Sequence, residues 1–136
     1  MSWGDIDLST ARADNEVLPE SEATNFLITG AGKNKFDSEK VDVYAKVLDG
    51  PEKGARTVFS YPNPNDYDWV IGVFKRLVNS IGIKIEEGES PVDYLIRVAK
   101  LEGKFTAPVK HREYEKDGLT TVKGEVNTWK IKSYKG

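Results

Sequence analysis

Apolar and polar residues alternate with a period of two along residues 40–48, which is the pattern of a half-buried β-strand. One face of this strand holds Val41, Val43, Ala45 and Val47, and the other holds Lys40, Asp42, Tyr44 and Lys46. Residues 25–29 and 55–61 predict a strand before it and a strand after it. The turn-forming run 49–54 predicts a hairpin between the second and third strands, whereas residues 30–35 predict an exposed loop between the first two.

Helical spacing replaces this alternation in the middle of the chain. Apolar residues recur every three or four positions over residues 67–81, with Asp66 as the predicted N-cap and Gly82 as the C-terminal glycine. A second helix is predicted from Ser90, which is a good N-cap, and from Pro91, which suits the first helical position. Tyr67 and Trp69 are interpreted as a packing lid over one end of the domain.

Two strands are predicted to close the chain, over residues 104–114 and 126–134. Asp117-Gly118 between them is a strong hairpin signal. Pro108 marks the earlier strand as an edge or bulged strand, because proline cannot donate to a ladder. Trp129 is interpreted as a core residue of the final strand.

The predicted order, β-β-β-α(α)-β-β, is mainly β with a helical insertion and matches the OB-fold, a five-stranded, partly open barrel. Another small α+β sandwich is the alternative. The length of 136 residues fits one domain. We therefore expect an acidic, loosely ordered N-terminal arm over residues 1–22 and an OB-fold-like domain over residues 23–136.

Charge is distributed unevenly around a net value of −2. Residues 1–25 hold six acids and one arginine, whereas residues 103–136 hold eight bases and four acids. Because nucleic-acid binding depends on where the cations lie, the acidic sum does not exclude such a partner.

The sequence contains few residues that could form a catalytic site or a metal site. Cysteine is absent and His111 is the single histidine, so thiolate chemistry and multi-histidine metal sites are excluded. Gly30-Ala31-Gly32 lacks the third glycine of a dinucleotide fingerprint, and the acidic run 86–89 is typical of a solvated loop. We therefore expect that the protein is not an enzyme and that it binds neither a cofactor nor a metal ion.

Cations and aromatic side chains recur on the elements with which OB-folds bind single strands, namely the second and third strands and two of the loops. Such proteins use cations to follow the phosphates and flat rings to stack on the bases. Each ring also has a structural alternative, since Tyr44 can pack across strands and Phe59 can belong to the core. The predicted nucleic-acid-binding residues are Lys33, Lys35, Tyr44, Lys46, Lys53, Arg56, Phe59, Tyr61, Lys110, Arg112, Tyr114 and Lys123.

Four stretches of the chain, over about residues 17–134, resemble a family of small phage single-stranded DNA-binding proteins with an OB-fold. They are Val17-Leu18-Pro19-Glu20, the hairpin from Val41 to Arg56, the helix with Phe74-Lys75-Arg76-Leu77 and Ile81-Gly82-Ile83, and Gly124-Glu125-Val126-Asn127. The chain departs from the family at Glu20-Ser21-Glu22-Ala23, where a glycine and an aromatic or apolar pair are usual.

The resemblance implies sequence-tolerant coating of single-stranded DNA in replication or recombination, with Lys53 and Arg56 close to the DNA. The expected partners are single-stranded DNA and phage replication or recombination proteins, with homodimerisation left open. We expect no signal peptide, and no apolar run approaches the roughly 20 residues that span a bilayer. We expect no membrane partner and a cytoplasmic location in a phage-infected bacterial cell. The alternative function is a phage structural or assembly protein, or a protein-binding β-barrel domain.

Overall fold

The structure is a computed structural model that describes residues 18–34 and 39–134. Its strands are β1 (Ser21–Lys33), β2 (Val41–Val47), β3 (Arg56–Tyr61), β4 (Lys104–Lys116), β5 (Leu119–Val126) and β6 (Lys132–Ser133). The helices α1 (Val70–Ile81) and α2 (Pro91–Lys100) lie between β3 and β4 in the chain, and a single 3₁₀ turn covers Thr128–Lys130.

All six strands belong to one antiparallel sheet with the order β3-β2-β1-β4-β5, in which β6 also pairs with β4. The mainly β prediction with a helical insertion is confirmed, although the sequence predicted five strands. The sheet is open, because no ladder joins β3 to β5 within the described residues. β1 is therefore an inner strand, with β2 on one side and β4 on the other.

β1 is longer than the sequence predicted. The predicted loop at Gly30-Ala31-Gly32 continues the strand as far as Lys33, and the strand begins at Ser21, inside the segment assigned to the acidic arm. Its pairing with β2 shifts by one residue between Ile28 and Gly30, which is a β-bulge. A glycine inside a strand pattern often marks such a bulge, so the glycines bend this strand instead of ending it.

The two helices differ in how well their N-termini were predicted. α2 begins as expected, since the Ser90 hydroxyl accepts a hydrogen bond from the Asp93 amide at 3.2 Å and Pro91 occupies the first turn. The N-cap position of α1 is Trp69, not Asp66, and no side chain caps it. The C-terminal prediction for α1 is confirmed by Gly82, which has a φ of 81°.

The core lies between one face of the sheet and the two helices. Phe26 on β1 stacks on Phe105 of β4 with ring centroids 5.2 Å apart, and Phe59 of β3 meets Phe105 edge-on at 5.8 Å. Leu77 of α1 and Leu95 of α2 belong to the same core cluster as these rings, and both leucines are fully buried. The opposite face of β2 and β3 is left uncovered.

The structure of the C-terminal region agrees only in part with the prediction from the sequence. The hairpin at Asp117-Gly118 is confirmed, since both residues have positive φ, as a two-residue turn requires. Pro108 lies opposite an irregularity in β1 between Ser21 and Thr24, which agrees with the predicted bulge. The predicted final strand over residues 126–134 is wrong in its bounds. The return strand β5 ends at Val126, Asn127 then caps a 3₁₀ turn through its side chain, and only Lys132–Ser133 rejoin the sheet as β6.

Candidate nucleic-acid interface

The exposed face of β2 and β3 carries the predicted side chains that best fit a nucleic acid. Alternation along β2 points Val43 and Ala45 into the core and leaves Tyr44 and Lys46 exposed, as predicted. The register pairs Lys46 with Arg56, which is exposed on β3. Tyr44, Lys46 and Arg56 thus lie on the same side of the sheet, and we call this surface the Tyr44 face.

A shallow groove of about 460 Å³ lies on the Tyr44 face. Its lining includes Thr29, Gly30, Tyr44, Lys46, Arg56 and Thr57. Gly30 pairs with Tyr44, and a Cβ atom on Gly30 would contact the tyrosine ring at 3.8 Å. The Tyr44 ring therefore lies beside Gly30 of β1, and its exposed fraction is 45%.

Two exposed cations, Lys46 and Arg56, lie on the Tyr44 face. Neither Lys46 nor Arg56 has an ion-pair partner among the residues that the structure describes. Lys53, on the turn between β2 and β3, is also exposed and extends the cations beyond the strand ends. These groups are available to compensate phosphate charge.

Asp42 lies near the N-terminal end of β2, on the same side of the sheet as Tyr44. Its carboxylate accepts hydrogen bonds from Asn34 Nδ2 at 3.1 and 3.2 Å and from the Ser60 hydroxyl. The side chain is buried, so its charge is held by strand partners and is not presented to a ligand. The site open to a ligand therefore extends from Tyr44 towards Lys53.

Phe59 and Tyr61, which the sequence placed among the base-contacting rings, lie in the core instead. They occupy the β3 positions that point towards the helices, and Tyr61 meets Phe74 edge-on at 5.3 Å. Burial raises the pKa of the Tyr61 phenol above its usual range. Neither ring can stack on a base while the core is intact.

The predicted loop lysines do not join the Tyr44 face. Lys33 is exposed at the end of β1, and its backbone pairs with Val41, so it has the register of the core-facing positions. Lys35 lies outside the described residues.

The β4–β5 hairpin carries a second group of predicted cations. Lys110 and Arg112 are exposed on β4, Lys123 pairs with Arg112 across the hairpin, and Glu125 lies 3.6 Å from the Arg112 guanidinium. The side chain of Tyr114 lies outside the described part of the chain.

The hairpin strand β4 and Tyr44 of β2 pair with opposite ends of β1. Ser21, which pairs with Val109, and Gly30, which pairs with Tyr44, are nine positions apart on β1. That separation is about 30 Å along an extended strand. The fold therefore brings together Tyr44, Lys46 and Arg56 in one groove, with Lys53 on the turn that follows β2, whereas the hairpin cations lie on the other side of β1.

Sequence reasoning missed a cluster of exposed aromatic rings. The rings of Tyr67 and Trp69 are 5.5 Å apart, and those of Trp69 and Trp129 are 5.0 Å apart. Trp129, predicted to be a core residue, is 52% exposed. A signal was present, because Trp69 falls outside the stripe of apolar residues that α1 buries.

His111 makes structural contacts. Its Nε2 donates to the Leu18 carbonyl at 2.7 Å, and its backbone amide donates to the Glu20 carboxylate at 3.2 Å. Within residues 18–34 and 39–134, no three histidine, aspartate or glutamate side chains cluster as metal ligands would. Neither helix in this part of the chain has the length and apolar character needed to span a bilayer.

No protein-family model matches the chain, and no curated protein matches it with significant similarity.

Proposed function

We propose that this protein binds single-stranded DNA without sequence preference and coats it through the Tyr44 face. The observation that carries the proposal is an exposed tyrosine ring in a groove beside two cations that have no ion-pair partner in the described structure. Stacking on such a ring contributes about 1–3 kcal/mol per base and is similar for all bases. Lys46 and Arg56 would neutralise the adjacent phosphates.

The fold supports this proposal through its strand order. β1 pairs with both β2 and β4, and β3 and β5 form the two edges of the sheet. We interpret the arrangement as an OB-fold-like barrel in which the β3–β5 closure is not made, since OB-folds are partly open barrels. In that fold the face of the second and third strands binds oligonucleotides, and here that face carries Tyr44 and Arg56.

A role in phage replication or recombination rests on the sequence resemblance alone. Coating exposed strands requires binding that tolerates any base, and stacking together with phosphate contacts has this property. The alternative, an assembly or protein-binding role, predicts a defined oligomer without nucleic acid.

The test is fluorescence anisotropy with a labelled oligo-dT 30-mer and a matched duplex at low and moderate salt. We expect single-strand binding that weakens as salt rises, with much weaker duplex binding. Tyr44→Ala should weaken oligo-dT binding by about tenfold, which is within the range for loss of one stacked base. Arg56→Glu should weaken it further and reduce the salt dependence.

Lys84→Glu is the matched control for Arg56→Glu, because it makes the same charge change at an exposed residue between the helices. We expect its affinity to stay within about twofold of wild type, since ionic screening limits the effect of a distant charge. If Arg56→Glu and Lys84→Glu lose the same affinity for oligo-dT, binding depends on overall charge and not on the Tyr44 face. Absence of oligo-dT binding at low salt would reject the proposed function, and the particle mass in solution would then test the assembly role.

A further inference from the structure

A second groove, of about 510 Å³, runs between α1 and the C-terminal segment. Gly72, Lys75 and Arg76 line it from the helix, and Ile131 and Lys132 line it from the chain that follows the 3₁₀ turn. We call it the α1 groove. It shares no residue with the Tyr44 face.

The lining of the α1 groove is cationic. Lys75, Arg76 and Lys132 are exposed, and the other lining residues are neutral. None of these three cations forms an ion pair within the part of the chain that the structure describes. A groove of this composition is complementary to an anionic ligand.

The exposed aromatic cluster lies at one end of this groove. Trp69 is one helical turn before Gly72, and Trp129 is two residues before Ile131. The exposed fractions are 50% for Tyr67, 37% for Trp69 and 52% for Trp129. Three contacting rings exposed to this extent form an apolar patch of the kind that marks binding surfaces.

Backbone contacts hold the two tryptophans in place. The Trp69 carbonyl accepts a hydrogen bond from the Val73 amide at 3.1 Å, which fixes the Trp69 backbone at the first turn of α1, and its ring packs between those of Tyr67 and Trp129. The Trp129 amide donates to the Asn127 side chain at 3.1 Å, and the Asn127 amide donates to the Pro108 carbonyl at 2.9 Å. A ring held before the ligand arrives loses little freedom on binding.

We propose that the α1 groove and its aromatic end form a second contact site for single-stranded nucleic acid, with bases stacked on Trp69 and Trp129. The phosphates would then follow Arg76 and Lys132. Flat exposed rings and adjacent cations are the two features that such ligands require. The ligand class is that of the proposed function, but the site uses none of the residues of the Tyr44 face.

The groove also limits how much of a strand can bind. Trp69 and Ser80 are separated by about 16 Å of helix, which accommodates about five nucleotides at the 3.4 Å spacing of a stacked strand. Asp66 and Asp68 lie just before the aromatic end and would repel phosphates. We therefore expect bases, and not the backbone, to occupy the end at Tyr67.

The test uses tryptophan fluorescence in the full chain. Trp3→Phe leaves Trp69 and Trp129 as the only tryptophans, so any quenching by oligo-dT reports on this site. We expect quenching by the 30-mer to saturate, and to persist when Arg56→Glu is added. When added to Trp3→Phe, Trp129→Ala and Arg76→Glu should each weaken the oligo-dT affinity measured by anisotropy by about tenfold.

Ile71→Ala is the control for Trp129→Ala, because it removes an exposed apolar side chain of α1 that does not line the groove. Lys100→Glu is the control for Arg76→Glu. Both should bind oligo-dT within about twofold of the parent protein, because neither changes a proposed contact. Circular dichroism melts establish that every variant is folded.

The outcomes separate this inference from the proposed function. Loss of binding in Arg56→Glu but not in Trp129→Ala or Arg76→Glu, without quenching, would overturn the α1 groove and leave the Tyr44 face intact. The reverse pattern would keep the α1 groove and reject the Tyr44 face. A Trp129→Ala variant with a smaller particle mass and unchanged oligo-dT affinity would also overturn the inference, since the cluster would then be a contact between copies of the chain.

Discussion

Gly103 lies so close to Val98 that a Cβ atom on the glycine would overlap with Cγ1 of the valine. The Gly103 amide donates to the Val98 carbonyl at 2.9 Å, and the Gly103 carbonyl accepts from the Ile28 amide at 2.9 Å. This glycine therefore fixes the end of α2 against β1 at the point where β4 begins.

Gly103→Ala should lower the free energy of unfolding by about 1–3 kcal/mol, the usual cost of overpacking a buried position. The measurement is urea denaturation followed by circular dichroism. Gly72→Ala is the control, since a Cβ atom there meets no atom within 4 Å and alanine favours the helix by about 1 kcal/mol. A stable Gly103→Ala protein would mean that Val98 can move aside at little cost.

Tyr61 and Tyr94 are both buried, but only one has a partner for its hydroxyl. The Tyr94 hydroxyl donates to the Ile83 carbonyl at 2.6 Å, whereas the Tyr61 hydroxyl has no hydrogen-bond partner among the described residues. Tyr61→Phe should raise the free energy of unfolding by up to about 1–3 kcal/mol, because an unsatisfied buried group is removed. Tyr94→Phe should lower it by about 1 kcal/mol. Denaturation curves for the two variants check both signs, and destabilisation by Tyr61→Phe would reveal a partner for its hydroxyl.

The free energy of unfolding should fall at acid pH because Glu89 becomes protonated. Two hydrogen bonds of 2.8 Å from the Arg97 guanidinium lower the pKa of the Glu89 carboxyl from 4.5 to about 2. Because the folded-state pKa lies below the ordinary value, the ion pair stabilises the protein fully above pH 4.5. That contribution is lost as the pH falls from 4.5 towards 2.

The check on Glu89 is to compare wild type with Glu89→Gln in urea at several pH values. Wild type should be the more stable protein at pH 7, and the difference should disappear near pH 2. Glu87→Gln is the control, because Glu87 is exposed in the same loop and has no ion pair in the described structure. A difference that stays constant with pH would show that the carboxylate contributes through packing and not through its charge.

Gly124 is the contact point for the segment that precedes β1. A Cβ atom there would lie 2.9 Å from the Leu18 carbonyl oxygen, so Gly124→Ala should displace Leu18 and break its bond to His111. We expect faster hydrogen exchange at the His111 amide, whose acceptor is Glu20. Gly32→Ala, which has open space for a Cβ atom, should leave this exchange unchanged.

Period-two alternation in the sequence was sufficient to predict β2 and its exposed side chains. Val43 points inwards and Tyr44 outwards because successive side chains of a strand point to opposite faces of the sheet. The same rule places Phe59 and Tyr61 opposite to Arg56, so all three cannot share a binding face. The prediction of the site failed where residue type was weighed above strand position.

Other features depend on contacts between distant parts of the chain. The β1 bulge leaves Gly30 opposite Tyr44, and only the pairing with β2 determines this. Likewise, Trp129 leaves the core because Asn127 turns the chain against Pro108, nineteen positions earlier. Local propensity cannot predict either arrangement.

The central position of β1 has a consequence for how the chain folds. β1, β2 and β3 are joined by short connections, so their pairing can form early. Pairing of β1 with β4 must instead bring together residues such as Asn25 and Thr106, which are 81 positions apart. Closing a loop of that length costs chain entropy before any contact compensates for it. Folding should therefore be limited by this one long-range step, and its rate should be slow for a domain of this size.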